Sequence, residues 1–231
     1  MPLLLLETIS YAYPNKEKQV LQQVNLQLHS GEMLGLHGSN GSGKSTLLHI
    51  AAGLITPQAG SVTLCGIHCT SEAKFIEARK HLGYLLQNSD DMLFCPSILE
   101  DVAFGPYNMG YTAKEAQAIA WETLKELGME QFADANGNSL SGGEKKMAAL
   151  ACILSMKPRL MFLDEPTNDL DPASREKLLQ HLKMQNIASV VISHDLEFMQ
   201  QLCTRFCTLD EGVIREGCQD SALGICLGKT Q

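Results

Sequence analysis

The stretch Leu36–Gly53 reads LHGSNGSGKSTLLHIAAG. Polar, glycine-dense sequence ordinarily forms a loose surface turn, yet this one is wedged between two apolar runs. Upstream, "EMLGLHG" (Glu32–Gly38) is a short apolar strand ending in glycine. Downstream, Lys44–Ala52 has the pattern of a helix closed by Gly53. Between them, Gly38-Ser39-Asn40-Gly41-Ser42-Gly43-Lys44-Ser45 fits G-x-x-x-x-G-K-[ST] in the strand–loop–helix setting that this motif requires.

The chemistry explains the composition. Glycines let backbone N–H groups turn inward and wrap a phosphate chain. The helix N-terminus adds a partial positive charge. Lys44 is placed to reach the β- and γ-phosphates, Ser45 to ligate Mg²⁺, and the contacts run on to Thr46. The stretch therefore predicts a nucleoside-triphosphate site.

Such a loop needs a metal-holding acid from a neighbouring strand. "RLMFLDEP" (Arg159–Pro166) supplies one after a continuous apolar run, the mark of a buried parallel strand. Asp164, at the strand end, is expected to hold Mg²⁺ through water. Glu165 is expected to polarise the attacking water as general base.

The rest of the chain fits around these two strands. "LLLETISYAY" and "VLQQVNLQLH" alternate apolar and polar, as half-buried strands do. "SVTLCG" and "HLGYLLQ" are further strands, with the helix "SEAKFIEARK" between them, and "ASVVISHD" is another. Residues 112–127 form an amphipathic helix with Ala116, Ile119, Ala120, Thr123, Leu124 and Leu127 on one face. Strands alternating with helices predict an α/β parallel sheet, with an antiparallel layer from the two early strands.

Composition narrows the function. The 231 residues fit one large domain, and the formal charge of −8 with no basic stripe argues against a nucleic-acid partner. No apolar run approaches the ~18 residues of a membrane span, and "MPLLLLETI" lacks the basic region of a signal peptide. A soluble, cytoplasmic protein is expected. The eight cysteines read as small buried apolar residues, although the spacing of Cys65/Cys69 and Cys203/Cys207 could suit a metal.

Three more stretches complete a pattern. "Leu140-Ser141-Gly142-Gly143-Glu144" precedes the helix "KKMAALACIL"; Gln87 ends the strand "HLGYLLQ"; His194 ends the strand "SVVIS". With the phosphate loop and the acid strand, their order and spacing resemble the ATP-binding-cassette (ABC) ATPases, from about Leu3 to Gly217. The resemblance implies a single P-loop NTPase domain over 1–231, with a RecA-like parallel core and a helical subdomain at about 90–157 carrying the signature motif. It also implies a head-to-tail dimer, with itself or with a second cassette, that sandwiches two ATP molecules. Ser141, Gly142 and Gly143 of one subunit would then meet the γ-phosphate held by Lys44 of the other. His194 would bind the γ-phosphate and orient the water with Glu165. Gln87 would sense Mg²⁺ and the water, and Asp171, in the D-loop-like Asn168-Asp169-Leu170-Asp171, would act across the dimer. Tyr13 best matches the family's adenine-stacking aromatic, with Tyr11 second. His37 is expected to pack, and the other histidines to be structural.

Two departures stand out. Glu144 replaces the usual signature glutamine, and Met147 stands where many members carry a basic residue, which puts helix-to-loop contacts in question. The segment 87–116, above all "LEDVAFGP" and the N-x-G after it, resembles the energy-coupling-factor and cobalt/nickel importer cassettes, in which it meets a membrane partner; Met92 stands where many of these have glutamine. The resemblance implies the ATPase subunit of a membrane importer for a transition-metal ion or vitamin-like micronutrient, peripheral at the cytoplasmic face. Its rivals are a cassette from another transporter branch, a soluble cassette acting on nucleic acid or ribosomes, and a module that holds ATP without turnover. The acidic charge opposes the second, and Glu165 with His194 opposes the third.

Overall fold

The computed structural model describes residues 1–14 and 19–217. The tail, with Cys218 and Cys226, lies outside the described residues. Strands β1 (Leu4–Tyr11), β2 (Leu21–Leu28), β4 (Ala59–Leu64) and β5 (Ile67–His68) form an antiparallel sheet in the order β2-β1-β4-β5. The alternation of β1 turns Leu4, Leu6 and Ile9 inward and leaves Glu7 exposed, as one-sided burial demands.

The second sheet carries the site. It contains β3 (Met33–His37), β6 (Leu82–Leu85), β7 (Leu160–Asp164), β8 (Ala188–Ile192), β9 (Arg205–Asp210) and β10 (Val213–Gly217), ordered β10-β9-β3-β8-β7-β6. All pairs are parallel except the terminal β9–β10 hairpin. Its central strands are covered on both faces. Leu160 and Phe162 of β7 join one apolar cluster with Leu34 and Leu36, while Met161 and Leu163 join the other with Phe198 and Phe206. This two-sided cover explains the unbroken apolar run of β7.

The helices are α1 (Lys44–Ala51), α2 (Glu72–Arg79), α3 (Ile98–Asn108), α4 (Ala113–Glu126), α5 (Gly142–Leu154), α6 (Pro172–Gln185) and α7 (Leu196–Leu202). The predicted face of α4 buries Ala116, Ala120, Thr123, Leu124 and Leu127, with Ile119 half-buried at its edge. A Thr112–Glu115 capping box starts this helix. Helices α3, α4 and α5, between β6 and β7 in the chain, share one core.

Helix α3 falls in the expected helical subdomain, yet it runs through Gly105-Pro106, a pair that ordinarily breaks a helix. Pro106 removes the N–H that would have bonded the Val102 carbonyl. The Ser155 hydroxyl of the segment after α5 lies 2.9 Å from that carbonyl and shares its proton between it and the Cys152 carbonyl, also at 2.9 Å. A tertiary bond thus replaces a helical one and the helix continues. Two strand ends also differ from expectation. β6 stops at Leu85, two residues before Gln87, and β8 stops at Ile192, two before His194. The reason at β6 is chemical: the Leu86 and Gln87 carbonyls turn to the Lys146 ammonium at 3.4 and 2.9 Å rather than to a neighbouring strand.

Candidate functional site

The phosphate-binding loop leaves β3 at Gly38 and enters α1 at Lys44, at the carboxyl end of the parallel sheet, where open α/β sheets bind ligands. Gly43 has φ 105°, and a Cβ there would lie 2.8 Å from Val20 Cγ1. Gly38 has φ 147°, and a Cβ there would lie 2.3 Å from the Leu209 carbonyl oxygen. Both positions therefore require glycine. No side chain caps α1, so its first amides point at the loop's concavity unclaimed by a cap. The buried Lys44 donates from Nζ to the carbonyls of Gly38 at 2.8 Å and Ser39 at 3.0 Å. Burial lowers the Lys44 pKa, against the opposing pull of Glu165 and Asp164.

Four other strand ends and loops converge on this loop. A cleft of about 520 Å³ brings Asn40, Gly41 and Gly43–Thr46 together with Gln87, Asp164, Glu165 and His194. Tyr13 also lines it, 36% exposed, with its hydroxyl 3.0 Å from Thr46 Oγ1. Its ring meets Tyr11 edge-on at 5.1 Å, and of the two tyrosines Tyr13 is the one that lines the cleft. Ser39 and Ser42 line an adjoining cavity of about 410 Å³ on the other side of the loop, with Asp210 and Gly212.

Asp164 and Glu165 are both buried at the end of β7. Glu165 adopts a positive φ of 49°, a left-handed conformation that costs a non-glycine residue about 1–3 kcal/mol and clusters at functional sites. Its N–H donates to the Ile192 carbonyl at 2.8 Å, which anchors the turn to β8. Its carboxylate faces His194 twice: Oε2 accepts the His194 backbone N–H at 3.1 Å, and Oε1 lies 3.3 Å from Nε2. Burial raises the Glu165 pKa, with Asp164 adding to the rise and His194 and Lys44 opposing it. His37, half-buried at the end of β3, has its pKa lowered by burial and then by Lys44 and His194.

The signature residues and Asp171 do not line this cleft. Ser141 caps α5 in a reciprocal box: Glu144 N–H donates to Ser141 Oγ, and Ser141 N–H donates to Glu144 Oε2 at 2.8 Å. Gly142 lines a separate cavity of about 160 Å³ with Gln87. Gly143 packs against α6, where a Cβ would meet Ser174 Oγ at 2.5 Å. Asp171 caps α6, accepting the N–H groups of Ala173 and Ser174 and the Ser174 hydroxyl. That hydroxyl bond, first, holds its carboxyl below the usual carboxylate range. One chain thus presents a phosphate cleft at one place and a capped helix start at another.

Sequence reasoning missed four residues. Val20, Asn168 and Ile192 line the cleft, and none of these residue types carries a phosphate signal. Lys146 is 3% exposed, where a lysine on a helix reads as solvated. The cysteines Cys65, Cys203 and Cys207 are buried, and Cys69, Cys95 and Cys152 are partly so; all six are free thiols.

Comparison with known proteins places this geometry. The family profile described as ABC transporter matches residues 21–168. The chain belongs to the ABC transporter ATPases. Energy-coupling factor transporter ATP-binding protein EcfA of Methanothermobacter thermautotrophicus is 39% identical over 217 residues, covering 92% of this chain and 70% of that one. Among solved structures, cbiO1 from Clostridium perfringens, part of the ABC transporter complex cbiONQ, superposes with a TM-score of 0.84 at 29% identity, covering 97% of this chain and 91% of that one. The ATP-binding cassette MJ0796, a dimer in a post-hydrolysis state bound to ADP and Pi, superposes with a TM-score of 0.83 at 28% identity, covering 94% and 98%. This ABC ATPase binds and hydrolyses ATP as the ATPase subunit of a transporter. Among its described residues no helix is long and apolar enough to cross a membrane.

Proposed function

We propose that this ABC ATPase powers a membrane importer for a transition-metal ion or a vitamin-like micronutrient, working as a head-to-tail dimer at the cytoplasmic membrane face. The observation that carries the transport reading is an apolar groove beside the Gln87 loop. It has a volume of about 380 Å³ and is lined by Leu54, Leu86, Met92, Phe94, Phe104 and Met156 among others. Phe94 is 63% and Phe104 48% exposed, and their rings meet edge-to-face at 5.0 Å. The buried Asp101 fixes this edge by accepting the N–H groups of Phe94 and Cys95 at 3.0 and 2.8 Å. An exposed aromatic groove of this kind suits a partner site. Its occupant is a cytoplasmic helix of the membrane subunit. The name of EcfA and the cbiONQ complex around cbiO1 support that occupant and the importer branch.

The dimer is supported by the division of the site. The start of α5 offers the backbone N–H groups of Gly142 and Gly143 away from the cleft, where they suit the γ-phosphate of a second chain. The Ser141 hydroxyl, which donates to Glu144 Oε2 at 2.7 Å, would join them by exchanging that acceptor for the phosphate. The dimeric MJ0796 supports the same arrangement. ATP at the interface then stabilises the closed dimer by linkage, and hydrolysis removes that support. Whether the second chain is a copy of this one or another cassette is decided by what co-purifies.

Within the cleft, Gly38–Thr46 hold the phosphates and Tyr13 stacks adenine. Glu165 takes the proton of the attacking water, and His194 orients that water and the γ-phosphate. Asp171 acts across the dimer. Ser45, Gln87 and Asp164 offer a hydroxyl, an amide and a carboxylate oxygen in one cleft, a hard donor set that suits Mg²⁺ bound partly by substrate phosphates. These residues would hold Mg²⁺, which would supply charge neutralisation for the phosphates.

The test is nutrient accumulation in cells lacking the chain, complemented with wild type or Glu165→Gln. Cobalt, nickel and vitamin contents should fall in the deletion for one nutrient and be restored by wild type alone. Unchanged uptake of all of them would overturn the cargo class.

A further inference from the structure

Two adjacent lysines of α5 grip the loop that follows β6. Lys145 Nζ lies 2.6 Å from Asp90 Oδ1 at the surface. Lys146, 3% exposed, donates from Nζ to the Gln87 carbonyl at 2.9 Å and the Leu86 carbonyl at 3.4 Å. These two carbonyls lie just past the end of β6, so the ammonium takes the place of a strand partner. A cavity of about 160 Å³ beside the ammonium is walled by Gln87, Gly142, Asn168 and Asp169. Three segments therefore meet at one cation: the Gln87 loop, the first turns of the signature helix, and the Asn168–Asp171 loop. Asp169, Asp164 and Glu165 oppose the fall in pKa that burial imposes on Lys146.

The neighbouring residue sharpens the point. Met147, where a basic side chain is common in the family, is buried in the apolar cluster. Lys146 supplies the helix-to-loop contact from one position earlier.

We propose that Lys146 is a positioning residue that ties Gln87 to the signature helix. Resting on the head-to-tail dimer reading, the tie makes two half-sites of one chain move together. Gln87 belongs to the cleft that holds this chain's own ATP. Ser141–Gly143, at the start of the same helix, face the ATP of the partner. A change at Gln87 on hydrolysis thus reaches the other site through one side chain, without passing through the core.

The experiment compares wild type, Lys146→Met and Lys146→Arg in the full chain. Methionine keeps the stem and removes the donor, so the two carbonyls lose their partner. Equilibrium ATP binding and KM should stay within about twofold, because the phosphate loop is untouched. The kcat of Lys146→Met should fall about tenfold, in keeping with the cost of misplacing a group near the chemistry, and the Hill coefficient should fall to about one. Lys146→Arg should restore most of both. Hydrogen exchange should rise in residues 86–92 of Lys146→Met and hold steady in β7 and β8. Wild-type kcat in Lys146→Met, or exchange rising evenly over the chain, would overturn the proposal. If Glu165→Gln forms no ATP-dependent dimer, the dimer reading and the two-site coupling fall together. The tie to Gln87 is then judged by kcat and exchange alone.

Discussion

Glu165 and His194 face each other through two contacts: a backbone N–H donated to Oε2 at 3.1 Å, and the imidazole Nε2 at 3.3 Å from Oε1. The pair joins the ends of β7 and β8 and fixes where a base can act. Replacing Glu165 with glutamine keeps the shape and removes the proton acceptor. Steady phosphate release should fall by roughly 10²–10⁴-fold with ATP affinity retained, and light scattering should show an ATP-dependent dimer that outlives the wild-type one. Equal turnover in the two proteins would remove Glu165 from the role of base.

The raised pKa of Glu165, caused first by burial, gives this residue a pH signature. A general base works when deprotonated, so the acid limb of kcat/KM should lie above the ordinary carboxylate pKa of about 4.3. The stability sign is opposite. Native Glu165 holds its proton more tightly than the unfolded chain does, so its contribution is full below the ordinary value and is lost as pH rises through the raised one. Glu165→Gln should therefore melt higher than wild type at pH 7, and the gap should close below about pH 4. Thermal melts across this range check both signs.

Lys44 is held inward by two loop carbonyls. Lys44→Ala removes that brace and the cation for the phosphates. ATP affinity should drop at least tenfold on the order of a charge-assisted contact, read by equilibrium titration of a fluorescent nucleotide. An unchanged affinity would count against the phosphate-loop role.

Ser141 caps α5, and the proposed dimer gives it a second role. As the cap of α5 its loss costs about 1 kcal/mol, or roughly 2–4 °C in Tm for a chain of this size. On the proposed head-to-tail dimer the hydroxyl would exchange Glu144 for the partner's phosphate, so its loss should weaken ATP-dependent dimerisation while leaving the ATP affinity of the isolated chain unchanged. Calorimetry and light scattering on Ser141→Ala separate the two effects.

Much of this was legible because the chemistry forces rare residues into fixed spacing. Gly38 and Gly43 can be nothing else where Leu209 and Val20 press on them, so the loop announces itself. The apolar run of β7 follows from burial on both faces. The illegible parts depend on partners distant in sequence. Pro106 breaks a helix unless Ser155 replaces the lost bond. Gln87 ends a strand unless Lys146, 59 residues on, claims its carbonyl. The terminal strands β9 and β10 carried no motif. The signature residues stand out in sequence as a motif, and the structure puts them at the start of α5, outside the cleft.

The aromatic pair Phe94–Phe104 frames the most direct measurement. The tagged chain would be isolated from detergent-solubilised native membranes beside Phe104→Ala, and every co-purifying chain identified. Transport coupling through this groove predicts a polytopic membrane protein with the wild type, its recovery reduced severalfold by Phe104→Ala while basal ATP hydrolysis is unchanged. Recovery of ribosomal or DNA-bound chains in place of any membrane protein would contradict the account.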